Sequence, residues 1–121
     1  MRKAHMLAAG MPPGLALAVT GNVVTGISAA GTTVADATEL SGDYNVVSTV
    51  AANAGVVLPD TNVSAGDTIE VLNTGANPLT VYAPSTGSIN GHTADVGVIL
   101  MPKAVARFRY TSAVNVTCFF G

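Results

Sequence analysis

The stretch GDTIEVLNTGANPLTVYA, residues 66–83, contains the pattern that decides the fold. Two short runs rich in Val, Ile, Leu and Thr, residues 68–73 and 79–83, are separated by Gly75-Ala76-Asn77-Pro78. Such residues favour strands, whereas Gly, Asn and Pro favour turns between them. The stretch therefore predicts two short β-strands joined by a turn.

The same pattern recurs along most of the chain. Five further apolar runs, each bounded by Gly, Pro, Asn, Asp or Ser, lie at residues 44–50, 55–58, 96–100, 104–110 and 114–120. Seven short strands at near-regular spacing predict an all-β fold, a compact β-sandwich or barrel.

One segment has the signals of a helix instead. Thr33 stands at a possible N-cap, the acid Asp36 follows three residues later, and Gly42 supplies a stop. Together these residues predict one short helix over residues 33–40.

Charge is scarce and unevenly distributed. Of 121 residues, 10% are charged, which is well below the level of an average soluble domain. No Lys or Arg occurs between Ala4 and Pro102, and all seven acids lie in that span. A surface so poor in charge is suited to packing against other protein. The length predicts one domain with its own core.

The first 25 residues differ from the rest, and we interpret them as an extended N-terminal arm before a β-domain at residues 26–121. They have no clean period of 2 or 3.6. The start resembles a secretory signal, but Pro12-Pro13-Gly14 interrupts it, so we expect neither a cleaved leader nor a membrane anchor. The arm residues expected to bind a partner are Arg2, Lys3, Met6, Leu7, Leu15, Leu17 and Val19.

A second set of candidate contacts lies on the predicted strands. Alternation places Leu72, Val105 and Phe119 on otherwise polar faces, and Arg107 and Arg109 on one strand face. The apolar residues predict a surface covered by another subunit, although scattered exposed residues of a monomer are the alternative. The two arginines either meet acids of a neighbouring subunit or form a solvated face. The net charge of -2 argues against nucleic-acid binding.

Candidates for catalysis are few. His92 and Asp95 are the only histidine and acid close in sequence, and neither His5 nor His92 has a second metal-type ligand at the usual spacing. Cys118, the single cysteine, lies in an apolar run and is predicted to be a buried thiol, with an interchain disulfide or a nucleophile as alternatives. We therefore expect no enzyme, no metal site and no cofactor.

Several glycine- and threonine-rich patterns carry a resemblance to a known kind of protein. They occupy residues 26–40, 45–50, 55–59, 66–73, 77–82 and 89–91. Residues 26–121 thereby resemble a small β-module of virion proteins of tailed bacteriophages, of the capsid decoration or head-fibre type. The resemblance implies a homotrimer or other symmetric oligomer that sits on the assembled shell, binds the major capsid protein and has an N-terminal arm reaching into the lattice. We expect the protein to be made in the host cytoplasm and to be located on the capsid surface of the virion.

Two functions from different classes compete. The first is a structural protein that decorates or cements a phage capsid. The second is a tail or fibre domain that recognises carbohydrate on a host surface. Sugar sites display exposed Trp or Tyr, whereas this chain has no Trp, and Tyr44, Tyr82 and Tyr110 lie in predicted strands. These features favour the structural role.

Overall fold

The computed structural model describes residues 21–120, and these residues form nine β-strands in two sheets. The described part contains no helix, so the predicted all-β class is confirmed. It therefore also has no helix that could cross a membrane. The strands are β1 Val23–Ser28, β2 Thr38–Glu39, β3 Tyr44–Thr49, β4 Gly55–Val57, β5 Thr68–Asn73, β6 Leu79–Tyr82, β7 Val98–Leu100, β8 Val105–Tyr110 and β9 Val116–Phe120.

The first six strands wind as three successive coils. The chain alternates between the two sheets, so that β1, β3 and β5 stack in parallel in sheet A while β2, β4 and β6 stack in parallel in sheet B. Each coil contributes one strand to each sheet. This arrangement brings residues far apart in sequence into adjacent strands.

The last three strands reverse direction and complete both sheets. Strand β7 pairs antiparallel with β6, β8 pairs antiparallel with β5, and β9 pairs antiparallel with β8. The strand orders are β1-β3-β5-β8-β9 in sheet A and β2-β4-β6-β7 in sheet B. Neither sheet closes on itself, so the predicted barrel alternative does not apply.

Both sheets contribute to one hydrophobic core. Val47, Val71 and Phe108 of sheet A are fully buried, as are Val56 and Val81 of sheet B. The side chains on either side of these residues in β5 and β8 are more exposed, as a period of 2 requires. Alternation thus fixes which side chains of sheet A point away from the core.

The predicted helix over residues 33–40 is wrong. A single turn forms there, closed by the bond from Ala37 N to Thr33 O at 3.0 Å. The Asp36 carboxylate accepts hydrogen bonds from Thr33 N and Thr33 Oγ1 at 2.8 and 2.7 Å. Strand β2 follows at once and pairs with β4, which leads into the buried Leu40. One turn of helix is too short to be stable alone, and sheet pairing replaces it.

All seven predicted strands are present, with ends that differ by one or two residues. Strand β1 was not predicted. It begins at Val23, so residues 23–25 of the predicted arm belong to this strand, and Val23 and Val24 pair with β3. The predicted arm contacts lie outside the described residues, namely Arg2, Lys3, Met6, Leu7, Leu15, Leu17 and Val19.

Candidate interaction face

The outer face of sheet A, meaning its side chains that point away from the core, is the candidate site. In β5 the core-facing Ile69 and Val71 are buried, while Glu70 and Leu72 between and after them are half-buried. The structure places all five sequence-predicted strand contacts on this outer face. They are Leu72, Val105, Arg107, Arg109 and Phe119.

Strand register makes these residues neighbours. Leu72 lies opposite Val105 across the β5–β8 pair, and Phe119 of β9 lies opposite Arg107. Side chains directly opposite one another in an antiparallel pair are within contact distance. Phe119 nevertheless retains 53% of its possible exposure. The outer face therefore combines an apolar pair, an exposed aromatic ring and two arginines.

The charges on the outer face are partly paired. Arg107 Nε lies 3.8 Å from Glu70 Oε1, and the Arg107 side chain is 61% exposed. An exposed pair of this kind contributes about 0–1 kcal/mol to stability, so its conformation is easily changed by a partner. Arg109 lies opposite Thr68 and Thr117, with no carboxylate within 4.0 Å among residues 21–120.

The concave surfaces on this face are shallow and open. One cavity of about 340 Å³ is lined by Thr68, Glu70, Arg107, Arg109 and Phe119. Its polar groups are all exposed or half-buried, which differs from the enclosed, mostly apolar pockets that take small ligands.

His92 and Asp95 lie in the loop between β6 and β7, and the His92 backbone and the Asp95 side chain make hydrogen bonds within that loop. Asn90 and Gly91 have φ values of 54° and 75°, and His92 N donates to Ile89 O at 3.0 Å, which confirms the predicted turn. The Asp95 carboxylate accepts a hydrogen bond from Thr86 N at 2.9 Å. Within the described residues, no three His, Cys, Asp or Glu side chains group as metal ligands would.

Two of the three tyrosines are buried, and their hydroxyl groups donate hydrogen bonds to backbone carbonyls. The Tyr82 hydroxyl donates to Thr32 O at 2.8 Å, and the Tyr110 hydroxyl donates to Pro59 O at 2.5 Å. Both residues are less than 10% exposed. Tyr44 is half-buried and lies in the same register row as Glu70 on the outer face of sheet A. A sugar-binding platform built from Tyr82 or Tyr110 is therefore excluded.

The buried position of Cys118 determines its chemistry. Its thiol is free and buried, and burial raises the pKa of the Cys118 thiol to about 11. The thiolate that acts as a nucleophile is thus scarce near neutral pH. Burial also raises the pKa of Tyr110 well above its ordinary value, and the negative charges of Asp60, Asp67 and Glu39 add to that effect.

These two groups predict a loss of stability at alkaline pH. Above pH 9 the Cys118 thiol loses its proton in the unfolded chain but keeps it in the folded protein. Above pH 10 the Tyr110 hydroxyl likewise loses its proton in the unfolded chain and keeps it in the folded protein. Since the unfolded state then binds fewer protons, the free energy of unfolding should fall by up to about 1.4 kcal/mol per pH unit and group. Urea unfolding from pH 8 to 11 measures this. The Cys118→Ala, Tyr110→Phe double variant should show a shallower slope, and equal slopes would contradict the assignment.

Comparison of the sequence with models of known protein families and with curated proteins gives no match. The function must therefore be inferred from the residues and the geometry of the outer face.

Sequence reasoning did not include Tyr44 among the contacts of this face. Register places Tyr44, Glu70, Arg107 and Phe119 in one row across four strands. Alternation along β3 assigns Tyr44 to the side opposite the buried Asn45 and was available from the sequence. The partner strand and the register were not, because they depend on the winding of the whole chain.

Proposed function

We propose that this chain is a structural virion protein that decorates the capsid of a tailed bacteriophage and cements contacts between coat subunits. The protein acts by adding interface area between subunits that internal DNA pressure would otherwise separate. A protein that binds the assembled state alone stabilises it by mass action.

The observation that carries the proposal is the outer face of sheet A. It gathers Leu72, Val105, Phe119 and the two arginines on one surface of a domain that is otherwise poor in charge. Apolar and arginine side chains on one exposed surface are typical of a protein interface. The resemblance of residues 26–121 to β-modules of phage virion proteins supports a capsid as the assembly that this protein binds.

In this proposal the N-terminal residues attach the domain to the coat. They combine two bases, Arg2 and Lys3, with several apolar side chains between Met6 and Val19. Bases and apolar groups in one segment suit a coat groove that offers acidic and apolar contacts. The β-domain then covers the joint between neighbouring coat subunits.

Deleting residues 2–20 should abolish most capsid binding and leave the β-domain folded. Strand β1 begins at Val23, so the deletion removes none of the described strands. Each apolar side chain that loses a buried contact contributes about 1.5–3 kcal/mol, so the loss of two or more should weaken binding at least a hundredfold. Co-sedimentation of the full and truncated chains with purified capsids measures the effect, with circular dichroism as the test of folding.

The matched control is Ile99→Ser, which removes an exposed apolar side chain of β7 and keeps residues 2–20. This variant should bind capsids as the unaltered chain does. Equal capsid occupancy by the full and truncated chains would contradict the assignment of attachment to these residues. Failure of the full chain to bind any tailed-phage capsid would contradict the proposed function itself.

A further inference from the structure

We propose that two copies of this chain pack face to face through the outer face of sheet A. The two-fold axis lies between the two sheets and runs along the strands, midway between β5 and β8. This contact concerns the isolated protein and goes beyond the proposed role on a capsid, where the same face would contact the coat instead of a second copy. It follows from the register of the face.

With the axis in this position, each outer residue of β5 in one copy faces a β8 residue of the second copy. That β8 residue is the one with which it is paired by register within a single chain. The register gives the rows directly. Leu72 lies opposite Val105, Glu70 opposite Arg107, and Thr68 opposite Arg109. In the pair of copies, Leu72 would therefore contact Val105 of the second copy, and the reverse contact follows by symmetry.

In each of the three rows, the β5 residue and the β8 residue that would meet across the axis are chemically complementary. Leu72 on Val105 is an apolar contact, and Glu70 on Arg107 brings together opposite charges. In the third row the Thr68 hydroxyl can accept a hydrogen bond from the Arg109 guanidinium. Because the Glu70 and Arg107 side chains already lie 3.8 Å apart, the two copies would form a ring of four alternating charges.

The strands on either side extend the match. Tyr44 of β3 and Phe119 of β9 occupy the same row as Glu70 and Arg107, one strand outward on each side. Strands in a sheet are spaced about 4.8 Å apart, so the two rings lie at equal distances from the axis. Phe119 would then pack on Tyr44 of the second copy, which gives its exposed ring an aromatic partner.

Moving the axis by one strand would remove the complementary contacts between the two copies. An axis between β3 and β5 would place Arg107 on Val23 of the second copy, since Val23 stands in the same row on β1. A guanidinium buried against valine loses its solvation without gaining a partner. An axis between β8 and β9 would leave Glu70 without any opposing strand. Charge complementarity thus selects the axis between β5 and β8.

The patch is small, so the association should be weak. Four strands and three residue rows cover roughly 400 Å² in plan, at the low end for a specific interface. We expect a monomer–dimer equilibrium that shifts with protein concentration over the micromolar range.

The test exchanges the two central charges one at a time. Glu70→Arg alone would place two arginines opposite each other twice across the axis, and Arg107→Glu alone would do the same with two acids. Each variant should dimerise at least tenfold more weakly than the unaltered chain in sedimentation equilibrium. An equimolar mixture of the two variants should recover association, because each opposed pair then joins an acid to an arginine.

Recovery in the mixture distinguishes a contact between copies from the ion pair within one copy. Each single variant keeps its like charges together inside its own chain, and mixing cannot relieve that repulsion. The matched control is Glu39→Arg, the same change of charge on an exposed residue of β2 in sheet B, which should leave association unchanged. Both charge variants are checked for folding by circular dichroism.

A second variant tests the contact without altering charge. Phe119→Ser removes a ring that is 53% exposed, so folding should be preserved while dimerisation weakens about tenfold. The inference is overturned by a mixture that stays as weak as its components, by a fully monomeric unaltered chain, or by undiminished association of Phe119→Ser. A three-copy mass would also overturn it, while leaving the proposed capsid role in place.

Discussion

Gly87→Ala should leave little folded protein at 25 °C. A Cβ atom at residue 87 would overlap the carbonyl oxygen of Val114, and it would lie 2.6 Å from Val114 C and 2.9 Å from Pro84 O. These are backbone atoms, so no side-chain rotation can relieve the contact. Movement is also restricted because Gly87 N donates to Pro84 O and Gly87 O accepts from Asp95 N. We expect a cost of about 5 kcal/mol or more, comparable with the whole stability of many domains.

Gly66→Ala is the matched control for this prediction. Gly66 has a φ of +97°, and a Cβ there would meet no atom within 4 Å. Alanine at this position is strained by its backbone conformation alone, so we expect a loss of about 1 kcal/mol. Circular dichroism at 25 °C measures the folded fraction of both variants, and urea unfolding gives the free energy of unfolding of Gly66→Ala and of any Gly87→Ala that remains folded. If Gly87→Ala lost no more stability than Gly66→Ala, residue 87 would not lie in contact with the Val114 backbone.

The strands could be predicted because their signal is local. Apolar and β-branched runs between turn residues mark each strand, and the Asn90-Gly91 pair occupies the left-handed conformations that this dipeptide favours. Local signals do not determine the structure at residues 33–40. The Thr33 and Asp36 pattern of a helix N-terminus is used there to close one isolated turn before β2.

The winding into coils could not be predicted from these patterns. A period of 2 describes a strand whether its neighbours are parallel or antiparallel, and it says nothing about which strand lies beside it. Strand β2 has two residues, and it exists because Thr38 and Glu39 pair with Val56 and Val57. Such a strand depends on residues distant in sequence and leaves almost no local signal.

The candidate face was predictable in composition but not in arrangement. Alternation alone assigned Leu72, Val105 and Phe119 to outward positions, and the structure brings these three onto one surface. Their relation to Tyr44 depends on β3 lying beside β5, which is a consequence of the coil. The residues that would meet across the proposed two-fold axis are therefore set by the register of four strands.

Asn73, one of two buried asparagines within residues 21–120, connects the end of β5 to the following turn and to the end of β7 by hydrogen bonds. Its side-chain amide donates to Asn77 O and Leu100 O, both at 2.9 Å, and its side-chain oxygen accepts from Gly75 N at 2.9 Å. The residue is fully buried, so water cannot replace these partners. One side chain thus supplies hydrogen bonds to three backbone groups in the turn after β5 and at the end of β7.

Asn73→Ala should lower the free energy of unfolding by about 3–5 kcal/mol, because each of the three backbone groups loses its partner in or near the interior. The matched control is Asn77→Ala, which removes one side-chain bond to Val50 O from a half-buried position and should cost about 1 kcal/mol. Asn73→Asp distinguishes hydrogen bonding from lost volume, since it keeps the shape and the acceptor for Gly75 N. At neutral pH its carboxylate would face the Asn77 and Leu100 carbonyls, so it should destabilise at least as much as Asn73→Ala. Urea unfolding at pH 7 measures all three, and an Asn73→Asp variant within 1 kcal/mol of the unaltered chain would contradict this account.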